Sequence, residues 1–90
     1  MLNKDCISLI RTRLSALSPT NLEIKDESYL HIGHKRVQEK GGHYHISIAS
    51  ALFEGISTLA RHRLVYEHIH DLIPYPIHAL TLDVKGSKNL

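Results

Sequence analysis

Two stretches of the chain carry apolar residues every three or four positions, which is the spacing of one face of a helix. In residues 3–17 these positions are Ile7, Ile10, Leu14 and Leu17. In residues 58–73 they are Val65, Ile69, Leu72 and Ile73. Ser57 is a candidate N-cap of the second helix, and Pro74 and Pro76 end it. The pattern therefore predicts two amphipathic helices.

Three other stretches have the composition or the apolar–polar alternation of β-strands. They are residues 21–27, 43–50 and 77–84. In the middle strand, Tyr44, Ile46 and Ile48 are expected to face the core, and His43, His45 and Ser47 to face the other way. Residues 28–42 show no sustained period and are predicted to form a long exposed loop. Loops of this length in small domains are often functional.

The predicted order of elements is α-β-β-α-β. The first two strands, joined by a loop, should pair antiparallel, and the crossover helix between the second and third favours parallel pairing. This predicts an α/β (α+β) fold, with a three-stranded mixed sheet covered on one face by two helices. Ninety residues suit a single domain, residues 1–90, and residues 85–90 are expected to be a frayed tail.

The net charge of +2 permits anionic partners without requiring them. Cys6 is the only cysteine, so neither an internal disulfide nor a cysteine-based zinc site can form within one chain. A lone cysteine fits a reducing, cytoplasmic setting. The apolar runs are only a few residues long, so no membrane partner is expected.

Eight histidines in ninety residues are the unusual feature of the composition. His62 and Tyr66 lie on the apolar side of the second helix and are predicted to belong to the structural core. His31 opens the long loop and His78 begins the last strand. Histidines at the ends of elements can turn outward toward a metal, which makes these two the candidate ligands. His34, three residues from His31, lies close by in the sequence.

The sequence offers no set of residues for catalysis. There is no nucleophile with a recognisable base, no glycine-rich phosphate loop and no H-E-x-x-H motif. Asp26 and Glu27 are adjacent in a predicted strand and point to opposite faces, so they do not form a catalytic pair. The protein is therefore not expected to be an enzyme.

Four motifs give the chain a resemblance to the BolA family. They are "DESY" (26–29) followed by His31, "FEG" (53–55), "RHRLVY" (61–66) and "IHAL" (77–80), and they occur in the family's order and spacing. The resemblance covers nearly the whole chain. It implies an α-β-β-α-β fold related to the type II KH domain, which agrees with the order predicted from the hydrophobic pattern.

The resemblance also implies a partner and a cofactor. BolA-like proteins partner monothiol glutaredoxins and can share with them a [2Fe–2S] cluster that glutathione also ligates. The BolA side supplies the histidine of "IHAL", here His78, and a histidine or cysteine of the loop, matched here by His31. The segment "IGHKRVQEKGG" departs from the family pattern and adds His34 as an alternative loop ligand, with His43 further behind. The first hypothesis is thus a non-enzymatic adaptor in iron–sulfur trafficking or in iron or redox sensing.

Two other functions stay open. Some bacterial family members are described as transcription factors, so the chain could be a DNA-binding regulator that uses its second helix and the basic loop. The phosphate-binding candidates are Arg61, Arg63, Lys35 and Arg36, and they predict weak binding that is largely indifferent to sequence. The remaining alternative is a plain interaction domain, and a homodimer is compatible with any of the three.

Overall fold

The computed structural model describes residues 3–27 and 42–86. Each helix continues into a short 3₁₀ turn, and another such turn, Ala51–Phe53, follows the second strand. The elements are α1 (Asn3–Leu14, then Ser15–Leu17), β1 (Asn21–Asp26), β2 (Gly42–Ala49), α2 (Thr58–Ile69, then His70–Leu72) and β3 (Ile77–Lys85). The predicted order α-β-β-α-β is confirmed.

The three strands form one mixed sheet in the order β1-β2-β3. β1 and β2 are antiparallel, with Asn21 opposite Ala49 and Asp26 opposite Tyr44. β2 and β3 are parallel, as the crossover through α2 predicted. β2 is the central strand and pairs with both of its neighbours.

The core lies between the sheet and the two helices. Tyr44, Ile46 and Ile48 of β2 are buried, as their alternation predicted. Phe53, in the turn after β2, is fully buried. The helices contribute Cys6, Ile10, Leu14, Leu17, Val65, Ile69 and Leu72. The helical faces predicted from the spacing are therefore the faces that pack on the sheet, except that Ile7 and Ile73 are only half-buried.

α2 begins at the predicted N-cap, because Ser57 Oγ accepts a hydrogen bond of 3.1 Å from the backbone N–H of Ala60. The prediction that His62 and Tyr66 belong to the core is wrong. Tyr66 is 38% exposed, and His62 is half-buried and outside the buried cluster. Successive side chains of a helix are rotated by about 100°, so Tyr66 points roughly a quarter turn away from Val65 and lies outside the packed face.

The two helices are joined at the surface by a bidentate ion pair. The Arg13 guanidinium donates hydrogen bonds of 2.7 and 2.9 Å to the Asp71 carboxylate, and a third of 3.1 Å to the carbonyl of His68. The hydrogen bond from Arg13 lowers the pKa of the Asp71 carboxyl below its usual value. This contact links α1 to the end of α2 at the surface.

The third strand extends further than the sequence predicted. Lys85 still pairs with Ala49, and Gly86 is buried. A Cβ atom on Gly86 would lie 2.7 Å from Cγ of Glu54, so any larger residue here would force the Glu54 side chain to move. The prediction of a frayed tail from residue 85 is therefore wrong for residues 85 and 86, because both are held by the sheet and the turn beside it.

Several predictions concern residues that the structure does not describe. The long loop, with His31, His34, Lys35 and Arg36, lies almost wholly in residues 28–41, outside the described ranges. Residues 87–90 of the predicted tail are outside them as well. Within the described part of the chain, no helix is long and apolar enough to cross a membrane.

Candidate functional site

An irregularity at the start of β3 positions His78. The register with β2 steps from Gly42 opposite Ile77 to His43 opposite Ala79, so β3 has one extra residue, His78, at this point. Such bulges change the direction of a side chain at the end of a sheet. Ile77 is buried and the next residue, His78, is exposed. The imidazole of His78 is thus held at the surface by a strand anchored in the core.

The bulge brings His78 beside a second histidine. The ring centres of His43 and His78 are 5.1 Å apart, with their planes tilted by 54°. The backbone here is held by two hydrogen bonds: Gly42 N–H to the carbonyl of Pro76 at 2.9 Å, and Glu27 N–H to the carbonyl of His43 at 2.7 Å. Two imidazoles therefore share one end of the sheet, where residues 28–41 join β1 to β2.

The open face of the sheet continues from this pair as a polar row. Nδ1 of His45 is hydrogen-bonded to Oγ1 of Thr81 at 2.6 Å. One pair further along, the Ser47 hydroxyl donates a hydrogen bond of 3.4 Å to the carboxylate of Asp83. His45 is therefore engaged across the strands, although it lies on the same face as His43.

Cys6, the one thiol of the chain, is buried, in contrast to the histidines of this surface. It is 1% exposed within the core, and burial is the main cause that raises the pKa of its thiol, which also contacts Tyr44. Metal ligation needs the thiolate. The chain therefore offers imidazoles rather than a thiolate as surface ligands.

The burial of Cys6 gives a direct prediction. Alkylation of the native protein by iodoacetamide should be slow and should accelerate in urea in step with unfolding, because the thiol reacts only when it is exposed and ionised. Mass spectrometry of samples quenched at intervals measures the rate. A Leu59→Cys variant, with the new thiol at a position 60% exposed, is the matched positive control. Equal native rates at the two cysteines would contradict the burial of Cys6.

The proximity of His43 and His78 was missed at the sequence level, where His43 stood behind His31 and His34 as a ligand. The signal was available in the sequence. Both residues open strands that were predicted to pair in parallel, and the first residues of parallel neighbours lie at the same end of a sheet. The ligand roles of His78, His31 and His34 stay predictions, and the latter two lie outside the described residues.

The two arginines predicted to contact phosphates have different surroundings. Arg61 is half-buried, and its guanidinium donates hydrogen bonds to the carbonyls of Ile56 at 3.2 Å and Val84 at 3.3 Å. Arg63 is exposed and lines a shallow cavity with Tyr66, Glu67 and His70. Arg61 therefore ties α2 to β3, and Arg63 is the arginine of this motif that faces solvent.

These features define a class of protein: a small α+β domain whose mixed sheet presents surface imidazoles at one end. The family model described as BolA-like protein matches residues 14–89. The chain therefore belongs to the BolA-like family.

Curated relatives agree with this assignment. BolA-like protein 1 of Mus musculus is 40% identical over 77 residues, which cover 84% of this chain and 54% of the relative. SufE-like protein 1, chloroplastic/mitochondrial, of Arabidopsis thaliana is 38% identical over 82 residues, covering 84% of this chain and 22% of the relative. The chain thus spans about half of the first relative and about a fifth of the second.

Solved structures show the same fold. The BolA domain of SufE1 from Arabidopsis thaliana superposes with a TM-score of 0.79 at 33% identity, covering 100% of both chains. BolA1 from the same organism gives a TM-score of 0.76 at 32% identity, covering 92% of this chain and 93% of that one. The fold built up from the hydrophobic pattern is therefore the fold of the family.

Proposed function

We propose that this chain is a non-enzymatic, cytoplasmic adaptor that partners a monothiol glutaredoxin in iron–sulfur trafficking or in iron or redox sensing. The observation that carries the proposal is the exposed imidazole of His78, held by the bulge of β3 at the end of the sheet. In the proposed complex, a [2Fe–2S] cluster lies between the two proteins and glutathione supplies a further thiolate. His78 is the ligand from the described part of this chain, and His31 is the second, with His34 as the alternative.

The donor set fits the cluster. Imidazole replaces thiolate on one iron in some [2Fe–2S] centres and raises the reduction potential relative to four thiolates. In residues 3–27 and 42–86, no group of three or more histidine, cysteine or acidic side chains is placed to hold a metal ion. Ligands from a partner are therefore part of the proposal. An imidazole ligand is lost on protonation, so such a cluster suits transfer or sensing better than storage.

The occurrence of this domain in longer proteins also supports an adaptor. A BolA domain forms part of SufE1 from Arabidopsis thaliana, and the matched region is 22% of the curated SufE-like protein 1. A domain of this kind is thus part of a longer chain in at least one relative. An adaptor function for the present chain agrees with that arrangement.

The test is the visible spectrum of the chain mixed with a monothiol glutaredoxin, glutathione, iron and sulfide under anaerobic conditions. His78→Ala should abolish the spectrum of the heteromeric cluster or change it grossly, because a ligand is removed while the core is untouched. His45→Ala is the matched control, since His45 lies on a neighbouring strand and is engaged with Thr81. A spectrum of His78→Ala identical to that of the wild type would refute the proposal.

The second ligand is decided by the same measurement. If His31 is the loop ligand, His31→Ala should alter the cluster spectrum and His34→Ala should leave it unchanged. The opposite result assigns the role to His34. No change in either variant would reject both candidates.

A further inference from the structure

We propose that the outer edge of β3 is an interaction surface for a second copy of this chain. The edges of the two copies pair antiparallel through residues 79–82, called here the edge segment, and the two sheets become one. The contact is made by backbone groups and by apolar side chains. It therefore needs neither a metal nor a glutaredoxin, and it does not rest on the proposed function.

Half of the backbone polar groups of β3 point away from the sheet. β3 is the last strand of the sheet in the described part of the chain. The backbone N–H of Ser50 donates a hydrogen bond of 3.0 Å to the carbonyl of Lys85, so Lys85 faces β2. Backbone direction alternates along a strand, so Thr81 also faces β2, whereas Leu80 and Leu82 direct their N–H and C=O groups outward. An added strand would pair with these outward groups.

Arg61 of α2 sets one end of this edge. Its guanidinium donates a hydrogen bond of 3.3 Å to the carbonyl of Val84, which is the next outward-facing residue after Leu82. A strand that pairs with β3 cannot use that carbonyl unless the arginine is displaced. Pairing is therefore confined to the edge segment, which carries no charged side chain.

The opposite edge of the sheet, formed by β1, is less suited to pairing. This strand of six residues carries three charged side chains, those of Glu23, Lys25 and Asp26. The Arg11 guanidinium donates a hydrogen bond of 3.4 Å to the carbonyl of Leu22 in the same strand. Charged side chains on an edge strand disfavour pairing with another chain. The edge of β3 is therefore the better candidate of the two.

The edge segment is self-complementary in one antiparallel register. A two-fold axis at Thr81 places Leu80 of one copy opposite Leu82 of the other, and the outward groups of both residues then meet. Asp83 lies opposite Ala79 in this register. No like charges therefore face each other across the axis, and the contact favours a second copy as the partner.

The neighbouring register is blocked, and the side chains favour the one that remains. An axis at Leu82 would pair Leu80 with Val84 of the second copy, and this pair needs the carbonyl that Arg61 occupies. In the register centred on Thr81, the half-buried side chains of Leu80 and Leu82 meet their counterparts at the margin of the core. Covering their remaining apolar surface adds to the backbone hydrogen bonds.

The short edge segment also limits the strength of the contact. A standard protein–protein interface uses about 20–30 residues on each side. The edge segment and its flanks supply far fewer, so we expect a dimer that forms at high protein concentration and dissociates on dilution.

Amide hydrogen exchange, followed by nuclear magnetic resonance of the wild-type chain, measures the edge directly. In dilute solution the amides of Leu80 and Leu82 should exchange fast, and that of Thr81, which faces β2, should exchange slowly. Raising the protein concentration should protect the two leucine amides and leave that of Thr81 unchanged. Full protection of Leu80 and Leu82 in the dilute monomer would mean that the chain itself covers this edge, and would overturn the inference.

Sedimentation equilibrium over a range of protein concentrations measures the dimer itself. Thr81→Lys should weaken dimerisation at least ~10-fold, because it places two like charges opposite each other at the axis. Asn21→Lys is the matched control, since it adds the same charge at an exposed position of β1 and should leave the dimer unchanged apart from the small effect of net charge. Circular dichroism verifies the fold of both variants.

Three results would reject the second copy as the partner of this edge. They are a wild type that stays monomeric at every concentration, a dimer that Thr81→Lys leaves intact, and equal losses in Thr81→Lys and Asn21→Lys. All of these measurements are made without glutaredoxin, iron or sulfide. Failure here therefore leaves the proposed function untouched, and failure of the cluster experiment leaves this inference untouched.

Discussion

Phe53→Ala should lower the free energy of unfolding by about 3–5 kcal/mol, the cost of truncating a large aromatic side chain in a core. Phe53 is 0% exposed, lies in the turn that follows β2 and belongs to the core cluster. A domain of this size has a total stability on the order of 3–5 kcal/mol. The variant should therefore be largely unfolded at room temperature. Urea denaturation followed by circular dichroism measures the loss.

The residue next to Phe53 provides the control. Leu52 is 54% exposed, and its contact with Ser50 is made by the backbone N–H, which alanine retains. Leu52→Ala should change the unfolding free energy by no more than about 0.5 kcal/mol. Because Phe53→Ala can be too unstable to measure, Phe53→Leu serves as the milder variant and should give a smaller loss. Equal losses at residues 52 and 53 would contradict the packing of this turn.

Arg61→Ala should lower the unfolding free energy by about 2–3 kcal/mol. The guanidinium donates hydrogen bonds to two backbone carbonyls, those of Ile56 and Val84, and each bond from a charged donor contributes about 1.5–3 kcal/mol. The lengths of 3.2 and 3.3 Å place both bonds at the weaker end of that range. The loss should appear as a lower urea midpoint with an unchanged slope.

Arg63→Ala is the matched control, because Arg63 belongs to the same motif but is exposed. Its effect on stability should be no more than about 0.5 kcal/mol. The pair also separates folding from nucleic-acid binding. A loss of DNA affinity in Arg61→Ala alone would reflect its lower stability, whereas a loss in both variants would indicate contact with DNA. Gel shifts on either variant should therefore be compared with the unfolding curve of the same variant. Equal stability of the two variants would contradict the structural role of Arg61.

Hydrophobic periodicity was sufficient to predict the element order and the sheet. The spacing of Ile10, Leu14 and Leu17, and of Val65, Ile69 and Leu72, identified the buried helical faces because packing against one sheet imposes one apolar side. The alternation in β2 fixed which side chains enter the core. Parallel pairing of β2 and β3 followed from the helix between them. These rules use only the periodicity of each segment and the type of connection between strands, and the fold agrees with them.

The residues at the margin of a face were harder to assign. Tyr66 and His62 are amphipathic side chains near the edge of the apolar stripe, and only the width of the contact with the sheet decides whether they are buried. The bulge at His78 was also unpredicted, because it depends on how two distant strands align. The sequence held one sign of the bulge. Ile77 and Leu80 are apolar but three residues apart, and strict alternation would place them on opposite faces of the strand.

The location of Cys6 has a practical consequence for measurements on assemblies. The chain has a single cysteine, and it lies 1% exposed among core side chains. A maleimide dye or spin label added to the folded protein would therefore attach to an engineered surface cysteine while the native one stays protected. Leu59→Cys on α2 offers such an attachment point, since Leu59 is 60% exposed. Distances from that label to a bound partner could then be measured without altering the core.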